Sequence, residues 1–413
     1  MLVSPKRAIY SAGVVNLFAN AQMTTFNAYF VLFMETDLFL QITIITLIVS
    51  LRNFLQLFLR VPLAELTQIF GRKPLILFGN LSYVGAMFCL TIANDWILSF
   101  AAAGLIAIGM SAYWPAMFAY IGDITVENGT GNSGQYNGKL FQFGDIGIIL
   151  SSLLARLLLD TFLVELRVLF GILTIINLLM GILLIKILPE TLETVERKVS
   201  ENILKDIVDA FKKMLRTLVT ISKTENMLPI YLFQILLAFT SFMFVSFYPV
   251  LIVEHGFSKG MVGEIIFWST IILILFKPKL GLISDNHGFK KPIVFSLLVI
   301  SLMLFSATFV YNLIFLIVIY VIIQGLLMVA YPALNGETVR TAPPLMRGMA
   351  TGALGFYVSF GRTSSTIIMG PIWEILSLHS VFSYSAIIIS ISVILLIPFS
   401  KSRKEKLREK RLV

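Results

Sequence analysis

Long apolar runs separated by short polar joins dominate this chain. Twelve such runs can be marked, at approximately 8–34, 41–63, 74–94, 97–122, 136–160, 166–188, 228–253, 261–280, 291–311, 313–335, 347–372 and 379–400. A helix needs about 20 apolar residues to cross the hydrocarbon of a bilayer. The pattern therefore predicts an all-α membrane protein with twelve transmembrane helices. The rhythm breaks once, over 191–226. There Ile203, Leu204, Ile207, Val208, Phe211, Leu215 and Leu218 recur at helical spacing, with Lys205, Asp206, Lys212, Lys213 and Arg216 between them. That is the signature of an amphipathic helix lying on a membrane face.

The two sides of this break repeat one another. Ala64 to Gly281, Gly71 to Gly288, Pro115 to Pro332 and Gly144 to Gly361 are each separated by 217 positions. A constant offset over so many residues argues duplication of one bundle, a recurrent transporter architecture. The expected organisation is a six-helix bundle over 1–190, a cytoplasmic linker with an amphipathic helix over 191–226, a second six-helix bundle over 227–400 and a basic tail over 401–413. The two bundles are expected to be pseudo-symmetric.

Composition agrees. The chain is 57% apolar and 13% charged, with mean hydropathy +0.89, where soluble domains carry about 25% charged residues. The net charge of +9 invites a nucleic-acid reading, but its distribution argues against one. With the N-terminus cytoplasmic, 25 of the 32 basic residues fall in cytoplasmic segments. That is the positive-inside rule, and it predicts both termini in the cytoplasm; the expected location is the plasma membrane, as a multi-pass protein. The tail 401–413 suits contact with lipid headgroups. Cys89 is the single cysteine, so no disulfide framework is expected. Lys6 and Arg7 before the first run look like a signal peptide, but the run is too long and is expected to remain uncleaved. The Asn128-Gly129-Thr130 sequon falls in a loop expected to be cytoplasmic.

The repeated loops carry a motif. The first copy reads Ala64-Glu65-Leu66-Thr67-Gln68-Ile69-Phe70-Gly71-Arg72-Lys73-Pro74, and the second runs from Gly281 through Asp285 and Gly288 to Lys290, Lys291 and Pro292. Twelve spans, two similar halves, a long central linker and this motif together resemble the major facilitator superfamily, whose loop runs Gly-x-Leu-Ala-Asp-Arg-x-Gly-Arg-Lys. The second copy keeps the glycine and aspartate; the first has Ala64 and Gln68 in their places. The glycines permit a tight turn, and a carboxylate can sit on the positive end of a helix. The resemblance implies cytoplasmic latches, with Asp285 meeting the start of span five near 134–139 and Gln68 the start of span eleven near Arg347 and Gly348. Arg72 or Lys73 can pair with Asp123, and Lys290 or Lys291 with Glu337.

Ionisable groups inside spans need a reason, since each costs about 2.5–3.5 kcal/mol on insertion scales. Arg52 in span two, Asp145 in span five and Arg362 in span eleven stand out. Asp145 and Arg362 occupy matching positions with opposite charge. The two arginines are candidates to attract an anionic group of a solute, or Asp145 neutralises one of them; Asp145 is also the candidate proton-coupling site. The family's cavity is lined by spans one, four, seven and ten. In span one, Asn16, Asn20 and Asn27 fall within about 40° of each other around a helix. Span seven offers Gln234, Ser241 and Tyr248; span four offers Tyr113, Trp114 and Tyr120; span ten offers Gln324, Tyr331 and Asn335. These groups either line a wet, aromatic cavity or hold helices together.

His255, His287 and His379 show no metal-ligand spacing, and the chain has no phosphate-cradling loop and no nucleophile elbow. No cofactor, metal or nucleic-acid partner is expected, and no enzymatic activity. The expectation is a monomeric secondary active transporter of a small organic solute, working by alternating access and coupled to protons or another ion. Export of drug-like or metabolite compounds is slightly favoured. The first motif copy resembles the drug:proton antiporter branch, although Gly144-Asp145-Ile146-Gly147 lacks the proline of that branch's span-five signature. The alternatives are uptake or exchange of an organic anion held by Arg52 and Arg362, a non-transporting receptor or scaffold, and a channel.

Overall fold

A computed structural model describes residues 5–127, 133–191, 203–222, 227–287, 290–342 and 347–396. The sequon, the tail and most of the linker before the amphipathic helix lie outside the described residues. The described chain is all-α. The helices are α1 (Pro5–Thr36), α2 (Ile42–Phe70), α3 (Arg72–Ile92), α4 (Trp96–Glu127), α5 (Ser133–Arg156), α6 (Leu166–Ile187), α7 (Ile203–Ser222), α8 (Met227–Glu254), α9 (Lys259–His287), α10 (Lys290–Ala307), α11 (Leu313–Thr341), α12 (Arg347–Ile375) and α13 (Leu378–Leu396). One π-helical turn, Leu157–Thr161, ends α5.

Ten of these helices are long and apolar enough to cross a membrane. α7 is the expected amphipathic helix. α1 and α12, the other two of the twelve expected spans, fall below that hydropathy threshold, and the reason lies in their sequences. α1 carries Asn16, Asn20, Gln22, Thr24, Thr25 and Asn27, while α12 carries Arg362 within a run of serines and threonines. Spans that bury polar side chains against protein rather than lipid can be less apolar.

The duplication is visible in local structure. Before α4, Asp95 Oδ1 accepts from the N–H groups of Ile97 at 3.0 Å and Leu98 at 3.4 Å. Before α11, Asn312 Oδ1 accepts from Ile314 at 2.9 Å and Phe315 at 3.4 Å. Asp95 and Asn312 are 217 positions apart. Both repeats start the same helix with the same kind of side-chain cap, which satisfies N–H groups that the first turn leaves orphaned.

Compactness groups the chain into one unit of Met1–Lys213 with Val245–Ile271, and another of Met214–Phe244 with Ile272–Val413. In the first unit, α5 lies directly on α1. A Cβ on Gly147 would stand 2.0 Å from the Leu17 carbonyl oxygen, and one on Gly13 2.6 Å from the Phe143 ring. In the second unit α12 crosses α8 in the same manner, where a Cβ on Gly361 would stand 2.3 Å from the Ile235 carbonyl oxygen. Helices in lipid gain no hydrophobic advantage from pairing, so small residues that let backbones touch supply the attraction.

Candidate functional site

In the first unit the polar stripe of α1 turns against α4 and α5. Asn16 is fully buried. Its Nδ2 donates to the Leu140 carbonyl at 2.8 Å, and its Oδ1 accepts from the Tyr113 hydroxyl at 3.1 Å and from Asn20 Nδ2 at 2.9 Å. One amide thus ties three helices, and an amide left unsatisfied there would cost a few kcal/mol. The approach depends on Gly144, where a Cβ would lie 2.9 Å from the amide nitrogens of both Asn16 and Asn20. Asp145, the next residue, is buried. Asn20, Asn27 and Trp114 are half-buried. Trp114 meets Tyr113 edge-on with ring centroids 5.3 Å apart. Tyr120 lies further along α4, buried, close enough to Glu190 to feel its charge.

Arg52 of α2 is 3% exposed. Its guanidinium stands 4.9 Å from the Phe26 ring centroid, within the range where a cation is held by the π face. Its Nη2 lies 3.4 Å from Met110 Sδ, and Gln56 Nε2, one turn on, reaches the same sulfur at 3.1 Å. Arg52 therefore sits in a soft pocket of aromatic and thioether groups from α1, α2 and α4. Phe26, Gln56 and Met110 were missed by sequence reasoning. The i,i+4 spacing of Arg52 and Gln56 was the available signal.

In the second unit, Ser241 of α8 and Tyr331 of α11 share a hydrogen bond of 2.7 Å between their hydroxyls. Gln324, half-buried, hydrogen-bonds to the Tyr320 hydroxyl. Gln234 is buried, and Asn335 is exposed. Arg362 is half-buried, with its guanidinium 5.9 Å from the Phe242 ring centroid. Tyr248 is buried in the first unit.

The first loop motif forms a compact ion-paired turn. Gly71 has φ +97°, in the left-handed region that side chains disfavour, and so lets α2 reverse into α3. Arg72 Nε pairs with Asp123 at 3.1 Å, and its Nη1 donates to the Thr67 carbonyl at 2.9 Å. Thr191 Oγ1 donates to the same aspartate at 2.8 Å. Lys73 Nζ donates to the Ile185 carbonyl at 2.7 Å. Glu190 is the residue that sequence reasoning overlooked. Its carboxylate accepts from the backbone N–H of Arg72 at 2.9 Å and of Lys73 at 3.2 Å, placing a negative charge on the N-terminus of α3. Gln68 is exposed. In the second copy, Gly281 and Asp285 fall in the last turns of α9, Lys290 and Lys291 open α10, and Glu337 lies near the end of α11. Gly288 lies outside the described residues, as do the side chains of Asp285, Arg347 and the first residues of α5.

Paired repeats of apolar helices, proline-bearing α4 and α11, buried polar bridges and basic turns define a polytopic membrane transporter. The chain belongs to the major facilitator superfamily: the family's sequence model matches residues 12–233 and again residues 230–412. It is a transporter of the secondary-carrier type and not an enzyme. No curated protein matches it significantly. Solved structures share its fold at low identity. A POT family transporter in complex with a thioalcohol-conjugated peptide is 14% identical, with a TM-score of 0.77, covering 95% of this chain and 96% of that one. A point mutant of the nucleoside transporter NupG is 12% identical with a TM-score of 0.77, covering 94% and 99%. The human organic anion transporter MFSD10 is 14% identical with a TM-score of 0.62, covering 95% and 100%.

Proposed function

We propose that this carrier moves a small organic solute by alternating access, with the bundles 1–190 and 227–400 rocking about a central site. Both termini are cytoplasmic in this reading, the protein is a plasma-membrane monomer, and protons drive the cycle through Asp145. The direction is export, following the resemblance of the first loop copy. The supporting observation is the polar chain Asn20–Asn16–Tyr113, with Asn16 and Tyr113 fully buried, and a buried Asp145 at the α1–α5 crossing. Hydrogen-bonding and ionisable groups within a membrane span are expensive and functional by default.

A second reading is favoured by Arg52, an arginine 3% exposed among aromatic and sulfur groups, and by Arg362, whose guanidinium stands 5.9 Å from the Phe242 ring centroid. Either arginine would attract an organic anion. One structural neighbour is described as an organic anion transporter; at that identity the likeness carries only the fold, so the reading stands on the arginines.

Flux in proteoliposomes tests both. Saturable flux driven by a proton gradient and lost in Asp145→Asn supports the first reading. Flux confined to anions and lost in Arg52→Met supports the second. No flux under any imposed gradient would leave a scaffold, and flux that never saturates would leave a channel. The solutes to try come from a thermal-shift screen of anions, sugars, amino acids and cationic drugs, because a ligand that binds the folded form raises its melting temperature.

A further inference from the structure

At the end of the first unit opposite the Gly71 turn, α5 and α9 meet through groups that none of the roles above employs. Asp160, in the π-helical turn after α5, accepts from the Arg156 guanidinium, from Ser258 Oγ at 2.5 Å and from the backbone N–H of Gly260 at 3.2 Å. Gly260 is the second residue of α9. The carboxylate therefore sits on the start of that helix, where orphan N–H groups and the helix dipole favour an anion. Arg156 turns its Nε to Glu264 at 2.7 Å, one turn into α9.

Two glycines set the distance between the helices. A Cβ on Gly260 would lie 2.4 Å from Asp160 Cγ, and one on Gly263 would lie 2.5 Å from the Ser152 carbonyl oxygen. Gly263 thus rests on the backbone of α5 and Gly260 on the Asp160 carboxyl, and a methyl group at either would force them apart. The matching positions in the first repeat, 217 residues earlier, are Thr43 and Thr46, and the position matching Asp160 is Ser377. This contact is particular to one side of the molecule and not a product of the duplication.

We propose that Asp160 and the Gly260–Gly263 face of α9 form the outer latch of the transport cycle, a contact that closes the outer ends of α5 and α9 and parts when the site opens outward. The proposal rests on the alternating-access reading and concerns residues separate from the cytoplasmic loop motif. Its groups suit a contact that must open. The side chains of Arg156 and Glu264 are 29% and 27% exposed, so both can rehydrate when they separate. Ion pairs at such exposure are weak enough to break within a cycle.

The test needs no substrate. In a Cys89→Ser background, Ser152→Cys places a thiol at the crossing, where Ser152 is 3% exposed. Right-side-out vesicles are treated with a membrane-impermeant maleimide. Asp160→Asn and, independently, Gly260→Ala should each raise the alkylation rate about tenfold, which corresponds to a shift of about 1.4 kcal/mol. Gly104→Ala, where an added Cβ meets nothing within 4 Å, should leave it unchanged. An unchanged rate in both latch variants overturns the proposal. So does a parallel rise at Ala12→Cys, a fully buried position in α1, because that would report loss of fold and not opening. Absence of flux alongside raised alkylation would instead refute the transport reading and leave an opening contact, so the two failures are distinguishable.

Discussion

Replacing Gly147 by alanine should loosen the α1–α5 crossing and, with it, the polar bridge. The added Cβ would stand 2.0 Å from the Leu17 carbonyl oxygen, 2.8 Å from its carbon and 3.1 Å from its Cα. All three are backbone atoms of a helix, so no side-chain rotation can relieve the clash. α1 and α5 must move apart by more than about 1 Å, the shortfall against a normal carbon–oxygen contact of about 3.3 Å. Overpacking of this kind costs about 1–3 kcal/mol, and the rigid partner points to the upper end. Alanine recovers about 1 kcal/mol of helix propensity over glycine. The net expectation is a loss of about 2 kcal/mol, read as a drop of about 5 °C in the melting temperature of the purified protein. Gly104→Ala is the matched control. With open space around it, it should keep the propensity gain and melt slightly higher. The same displacement draws Leu140 away from Asn16, now 2.8 Å apart, so solute-induced thermal stabilisation should fall as well. A Gly147→Ala protein that melts at or above the wild type would refute the reasoning.

Three further outcomes follow from particular contacts. Tyr331→Phe should cost about 1 kcal/mol, because it removes the 2.7 Å bond to Ser241, and Ser241→Ala should cost more, because that hydroxyl also donates to the Ala238 carbonyl at 3.2 Å; a larger drop in melting temperature for Tyr331→Phe would contradict this order. Arg72→Ala should lower the melting temperature further, since the lost guanidinium leaves Asp123 and Thr67 without the 3.1 and 2.9 Å contacts, whereas Gln68→Ala at an exposed position should change little. Glu35, one residue past the apolar run 8–34, has its carboxyl pushed from 4.5 to about 7 by burial and by Glu254, with Lys259 opposing. The folded state thus favours its neutral form: relative to Glu35→Gln, the wild type should lose stability as pH rises from 4.5 through about 7, and parallel melting curves across that range would exclude the effect.

The repeat was legible because duplication leaves a constant offset that survives divergence of side chains. Asp95 and Asn312 differ in charge yet cap α4 and α11 alike. The Arg72–Asp123 pair was also legible, because a basic turn beside a span that ends in an aspartate leaves few partners. What helical periodicity could not reveal was which neighbour each polar face would meet. It placed Asn16, Asn20 and Asn27 on one stripe, but not Tyr113 and the Leu140 carbonyl against Asn16. Glu190 and Asp160 looked like span boundaries. Their partners lie 118 and 100 positions away in the chain, and a helix start is bound through its backbone, which carries no residue signature. The loop-motif glycines predict turns, whereas Gly147 and Gly263 act as absent side chains, a role visible only once the opposing backbone is placed.

Glu190 and Asp160 use one chemistry, a carboxylate seated on the start of a helix, yet they should behave differently when neutralised. Glu190 joins the end of α6 to α3, both within the first repeat, and it bridges two consecutive N–H groups. Elements of one bundle keep their neighbours when the bundle moves as a body. Glu190→Gln should therefore remove about 1 kcal/mol of capping and dipole energy and lower the melting temperature by a few degrees, while alkylation of Ser152→Cys stays at the wild-type rate. Asp160 joins α5 of the first repeat to α9 of the second, so its neutralisation biases an equilibrium between arrangements in addition to weakening one. Measured together, Asp160→Asn should move accessibility more than melting temperature, and Glu190→Gln the reverse. If both substitutions shift the two readouts in the same proportion, the distinction between a contact inside a moving body and a contact across the line of opening is wrong, and Asp160 is one more structural cap.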